Sequence, residues 1–349
     1  LFFEDNLATV NGLTPSSGGI TRNPGKDGNN IDNWRKVNSD DTYNRYYNNY
    51  VTGPSERSSL YTQLVMPIGS VNFKAEALYN SRESDQQFSP ALSPIRGSRG
   101  FVIADDARVN PFGVEFSGSD FKHNAFFMNN GYRVNEQKVE TTRFAIGLDG
   151  ELSNDWSWDS FASWASNKGE FTSNNQMNLD KLALGLRACD TTGIDADVTD
   201  LVSGCVPVNI FAPLTDDMVN YINFTGHDKN EASQLDFTAN ITGSLYELPA
   251  GYIGAAFGIE YRKEKGEDTP DSIINSDPRI NTYRTTTSSP REGTTGEYDL
   301  KEAYAEFSIP LLDDKPLAEY LELSLAVRYS DYSTFGSTTN SKVGLLYTP

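Results

Sequence analysis

The stretch EAYAEFSIPLLDDKPLAEYLELSLAVRYSDY, residues 302–332, reads as two strands joined by a turn. Ala303, Ala305, Phe307, Ile309 and Leu311 alternate with Tyr304, Glu306, Ser308 and Pro310. After the turn, Leu321, Leu323, Leu325, Val327 and Tyr329 alternate with Glu322, Ser324, Ala326 and Arg328. A period of two places each apolar set on one face of a sheet. The strands run about ten residues, whereas soluble strands usually run five or six and tilted membrane strands about nine to eleven. The question is which solvent the apolar face meets.

The same pattern recurs along the chain. Strands are expected at 43–51, 57–68, 71–83, 139–152, 156–167, 232–246, 251–264, 299–311, 320–332 and 339–348. Helix signals are limited to 178–188 and 216–222. The connections Gly69-Ser70, Ser153 to Asp155, Pro249-Ala250 and Asp313 to Ala318 are short. Those at 84–138, 168–231 and 265–298 are long and polar. Short turns at one end of a sheet and long loops at the other are the habit of bacterial outer-membrane barrels. Pro67, Pro249 and Pro310 fall at the short-turn end, where a missing ladder donor is tolerated.

Charge parity agrees. Val71, Phe73, Ala75, Ala77 and Tyr79 oppose Lys74 and Glu76; Phe144, Ile146 and Leu148 oppose Arg143 and Asp149. Leu235, Phe237, Ala239 and Ile241 oppose Asp236, and Ile253, Ala255, Phe257, Ile259 and Tyr261 oppose Glu260. No charge falls on the apolar face of these stretches. Aromatics mark both ends: Trp156 and Trp158 at the short turn, Tyr79, Tyr261, Tyr329 and Tyr332 toward the long loops. Such girdles are expected at the two interfaces of a membrane. A soluble sandwich would also alternate, so a surface β-sandwich adhesin that binds glycans is the competing expectation.

Composition narrows the function classes. The 349 residues carry a net charge of -19, with no basic stripe for nucleic acid. No run approaches eighteen consecutive apolar residues, so no transmembrane helix is expected, which leaves strands as the means of crossing. The chain begins LFFEDN without an initiator Met, and is expected to be processed or cut from something longer. Cys189 and Cys205 enclose fifteen residues. A bridge there would contribute roughly 3 kcal/mol and fits an oxidising compartment; two unpaired thiols are the other reading.

Catalytic and metal signatures are lacking. No HExxH, paired-Cys, GxSxG or P-loop pattern occurs. His123 and His227 are expected to be solvated loop histidines, and Asp105-Asp106, Asp216-Asp217 and Asp313-Asp314 solvated turns. PIRGSRGF (94–101) lacks the Lys and Ser/Thr of a phosphate cradle. No enzyme activity and no cofactor are expected. Ligand contacts are sought in FFMNNGYR (126–133) and NIFAPL (209–214), which set aromatics beside amides.

A resemblance then emerges. GPSERSSLYTQLVMPIGSVNFKAEALYNSRES (53–84), NPFG (110–113), ETTRFAIGLDGEL (140–152), GCVPVNIF (204–211), TGSLYELPAGYIGAAFGIEYRKE (242–264) and the segment 298–336 resemble, in order, the barrel of TonB-dependent outer-membrane receptors of Gram-negative bacteria. GIEYRKE followed by EAYAEFSIPLL is the most specific part. The resemblance implies a 22-stranded antiparallel barrel with a plugged lumen, long extracellular loops and short periplasmic turns. It implies import of a scarce nutrient such as a siderophore, vitamin or carbohydrate, driven through the TonB–ExbB–ExbD complex. Many relatives carry a similar cysteine pair in the loop that holds Cys189 and Cys205. No plug, energy-coupling box or terminal aromatic strand is seen, so residues 1–349 are expected to be a central part of the barrel domain.

Overall fold

The computed structural model describes residues 2–3, 19–41, 44–96, 101–105, 107, 110–117, 121–123, 125–152, 155–187, 189, 202–275, 286–288 and 290–349. Nine strands form one antiparallel sheet in chain order: β1 (Ser55–Ile68), β2 (Val71–Pro90), β3 (Tyr132–Glu151), β4 (Ser157–Met177), β5 (Asn223–Leu248), β6 (Gly251–Thr269), β7 (Thr294–Lys315), β8 (Ala318–Tyr332) and β9 (Gly336–Thr348). Every strand pairs with its neighbour in sequence, five pairs through short turns and three across long connections. The sheet is open, with β1 and β9 at its edges.

The opening stretch pairs as its alternation requires: Ala303 faces Tyr329, Ala305 faces Val327, Phe307 faces Leu325 and Ile309 faces Leu323. A register shift at Pro310 lets the hairpin close through Pro316 and Leu317, the latter at φ 69°. Across the other ladders apolar residues again meet apolar ones: Leu64 with Ala75, Ala75 with Ile146, Trp164 with Leu235, and Phe257 with Ile241 and Ala305. One face is thus apolar over all nine strands. It is also uncovered: Leu64, Phe144, Ile146, Ile259 and Val343 are each more than half exposed.

The opposite face is polar and internally paired. Lys74 meets Asp149 at 2.7 Å, Arg143 meets Glu76 at 2.8 Å and Arg328 meets Glu302 at 3.2 Å.

The upper limit of the apolar band steps along the sheet. Following the ladder from Tyr79 leads through Thr142, Ser166, Ser233 and Lys265 to Glu297 on β7. The corresponding tyrosine, Tyr329 on β8, instead pairs with Ala303, six residues further along β7. Six residues are about 20 Å along a strand, and six inter-strand steps about 29 Å across the sheet. A level band therefore requires strands tilted by roughly 35°, the inclination of outer-membrane barrels. Above this line the same face becomes charged, with Lys168 beside Glu231 at 3.5 Å and Lys263 beside Glu297 at 3.4 Å.

Several sequence expectations need correction. Residues 44–50 form turns rather than a strand, because Asn44 accepts the Tyr46 and Tyr47 amides. The long connections are shorter than expected: β2, β4, β5, β6 and β7 continue well past the apolar band. Tyr332 lies off the tyrosine line and packs on Phe335, with ring centroids 4.3 Å apart. Helices do form at α1 (Leu179–Leu186) and α2 (Asp216–Ile222), so Asp216 and Asp217 open a helix rather than a turn.

Candidate functional site

The hydrophobic core lies in the long connections, not in the sheet. Residues from 20–34, 91–127 and 177–222 bury Ile95, Ile103, Phe116, Met177, Leu182, Leu186, Val208 and Phe211. Loops of this length need their own core to hold a shape.

Local chemistry explains each piece. In α1, Asn178 caps the Asp180 and Lys181 amides, and Leu179, Leu182 and Leu186 form one buried stripe. Gly185 lets residues 206–208 pass: a Cβ there would lie 2.5 Å from Val208 Cγ2. The Val208 amide donates to the Gly185 carbonyl at 2.9 Å. Cys189 and Cys205 are bonded, with Cα atoms 5.7 Å apart, and tie the end of α1 to the same segment. In NPFG, the Asn110 side-chain amide donates to the Ala104 and Val114 carbonyls, and its oxygen accepts the Phe112 amide. That delivers Phe112 edge-on to Trp34 at 5.2 Å, Phe116 at 5.6 Å and Phe211 at 5.5 Å.

Beside this aromatic cluster is a cavity of about 660 Å³. Phe126 to Asn129 line one wall and Ile210 to Leu214 another, so parts of both stretches singled out in the sequence share one cavity. The Asn129 amide donates to the Leu214 carbonyl at 2.6 Å and holds the walls together. Asn130, by contrast, is buried against Asn175 and does not line the cavity. Arg22 and Asp41 supply charge at the cavity; Arg35 holds the Asp41 carboxyl down at about 2.

His123 also lines this cavity, and its expected solvation is wrong. It is buried, its Nδ1 lies 2.9 Å from Ser93 Oγ, and burial pushes its pKa down to about 3. The ring is therefore neutral at ordinary pH. His227 is exposed, but it belongs to β5 rather than a loop. Among the described residues no group of three or more His, Cys, Asp or Glu is placed to hold a metal ion. The second Asp of 105–106, residues 97–100 of the Gly-rich stretch and residues 153–154 of one short turn lie outside the described residues.

A family model described as TonB dependent receptor-like, beta-barrel matches residues 84–349. No curated protein matches the chain. Among solved structures it is similar to that of the RagAB peptide transporter, at 12% identity and a TM-score of 0.46, covering 84% of this chain and 30% of that one. It is similar to the ferric-catecholate import receptor Fiu from K12 E. coli in its closed form, at 13% identity and TM-score 0.35, covering 85% and 40%. It is similar also to the siderophore receptor PiuA from Acinetobacter baumannii, at 12% identity and TM-score 0.28, covering 86% and 40%. The chain thus spans 30% to 40% of the length of these three.

Proposed function

The chain belongs to the TonB-dependent receptor-like β-barrel family, and from that premise we propose that it forms part of the wall of an outer-membrane receptor importing a scarce nutrient. The observation that carries this reading is the charge-free apolar band on one face, uncovered across nine strands. Water would make so much exposed apolar surface costly, and lipid makes it favourable. A sandwich adhesin would need a second sheet against that face, and the leucines and isoleucines there are open instead.

In this reading residues 1–349 contribute to the barrel domain. The unpaired edges of β1 and β9 join further strands, since lipid does not accept open sheet edges. The polar face lines the lumen, the loop-built core stands outside the cell, and the short turns that follow β1, β3, β5 and β7 face the periplasm. Energy reaches the receptor from the TonB–ExbB–ExbD complex. Catalysis forms no part of the account.

The test combines location and phenotype. The full-length protein should fractionate with the outer membrane of a Gram-negative host and run faster on gels before heating than after. A deletion strain should lose growth on one defined iron, vitamin or carbohydrate source. Recovery of the protein in the soluble fraction without detergent would refute the reading.

A further inference from the structure

The cavity of about 660 Å³ in the loop-built core is apolar over most of its wall. Trp34, Phe127, Ile210 and Leu214 are buried there, and Phe126 is partly buried beside them. Most polar groups in this wall already have protein partners. Trp34 Nε1 donates to the Gly28 carbonyl at 3.0 Å, His123 Nδ1 lies 2.9 Å from Ser93 Oγ, and the Asn129 amide is engaged by the Leu214 carbonyl. A ligand therefore meets mainly hydrocarbon and ring surface.

Arg22 is the exception. In the short ladder of Ile20–Arg22 with Trp34–Lys36, Arg22 pairs with Trp34. Paired residues share a face of the ladder, and Ile20 and Trp34 on this face are buried. The ladder thus turns Arg22 toward the core, where it lines the cavity. Its Nη1 donates to the Phe211 carbonyl across a long 3.5 Å, and it makes no ion pair among the described residues. Asp41, the one acid in the lining, is already taken. Arg35 holds it in a bidentate pair at 2.6 Å, and it accepts the Asn38 amide at 2.8 Å. A guanidinium offers five N–H donors in a planar fork that matches a carboxylate.

The chemistry selects among ligands. A hydroxyl-rich ligand would lose water and gain few partners from this wall. A polyanionic chelate would bring more charge than one guanidinium balances. The ammonium of a zwitterion would need Asp41, which Arg35 holds. What fits is a single carboxylate on an apolar body. A rigid ring system loses less freedom on binding than an alkyl chain, and it can pack edge or face against Trp34 and Phe126.

Resting on the import reading, we propose that this cavity binds an aromatic monocarboxylate, with the Arg22 guanidinium on the carboxylate and the ring system against Trp34, Phe126 and Leu214. The apolar wall selects the body of the ligand, and Arg22 selects its charge and direction.

Calorimetric titration of the purified full-length receptor tests this. The probe is naphthalene-2-carboxylate. Its neutral isostere naphthalene-2-carboxamide, decanoate, maltohexaose and a ferric tris-catecholate are the comparators. The naphthoate should bind, and the carboxamide should bind on the order of tenfold more weakly. Arg22→Gln should weaken the naphthoate by a similar factor and leave the carboxamide unchanged, a split that a merely structural arginine would not produce. Lys26→Gln, at an exposed turn of the same hairpin, should alter neither. Failure of the naphthoate to bind, equal binding of the carboxamide to the unmodified receptor, tighter binding of any other comparator, or full naphthoate affinity in Arg22→Gln would each overturn the assignment. Fractionation separates the two readings. A receptor found in the outer membrane without naphthoate binding loses the cavity assignment alone; one absent from that membrane loses the import reading and, with it, this proposal.

Discussion

Replacing Ile146 by Lys tests the apolar face where it is most exposed to refutation. Ile146 is 56% exposed and pairs with Ala75 and Ala162, midway between Thr142 and Gly150 on β3. Thr142 pairs with Tyr79, and Gly150 with Trp158, so the two aromatic levels bracket it. Their separation on β3 is about 27 Å along the strand, or about 22 Å vertically at a tilt near 35°. Ile146 thus sits about 11 Å from either level, near the middle of the hydrocarbon. A lysine there should destabilise the barrel by about 2–4 kcal/mol. The matched control is Gln63→Lys, on the polar face of β1, where the new ammonium meets Glu76. It should change stability by less than about 0.5 kcal/mol. Urea unfolding of the full-length receptor from lipid vesicles, followed by tryptophan fluorescence, reads both. Equal effects of the two lysines, or a larger cost at Gln63, would refute the assignment of faces.

Other expectations concern the loop-built core. Reducing the Cys189–Cys205 bond, or Cys205→Ser, should lower loop stability by roughly 3 kcal/mol; limited proteolysis should then cut near 202–208 while the sheet stays intact. His123 is neutral in the fold with a pKa near 3, below its unfolded value of about 6.5. The unfolded state therefore binds the extra proton, and loop stability should fall below pH 6.5 by up to about 1.4 kcal/mol per pH unit. Hydrogen exchange at the Phe127 amide should track this, and His123→Gln should flatten the profile. Arg291→Ala frees Asp228 and Asp268 from a partly exposed pair, so the cost should be about 1 kcal/mol or less. It should appear as faster cleavage of the connection after β6, with no loss of barrel heat resistance.

The hairpin at 302–332 was legible because one face stays apolar while the other carries Glu306, Glu322 and Arg328. Beyond the tyrosine line both faces are polar, so alternation disappears although the backbone ladder continues. That is why 84–90 and 223–231 read as loop but pair as strand. His123 was misjudged because its surroundings are assembled from afar: Ser93 is thirty residues away, and its cavity is shared with Trp34 and Ile210. Residues 44–50 read as strand because tyrosine favours sheets, but asparagine side chains and carbonyls there close turns instead. The two stretches proposed for ligand contact were found by composition, and their meeting in one cavity was not visible in sequence.

The central claim is that the apolar face meets lipid. Single cysteines at Ile259, Val327 and Ile146, and at Glu260, Ala326 and Gly147, can carry a fluorophore in a Cys189→Ala/Cys205→Ala receptor reconstituted in vesicles of brominated lipid. Strong quenching at the first three positions and little at their neighbours is the predicted result. Quenching at both sets alike, or stronger at Glu260, Ala326 and Gly147, would contradict it.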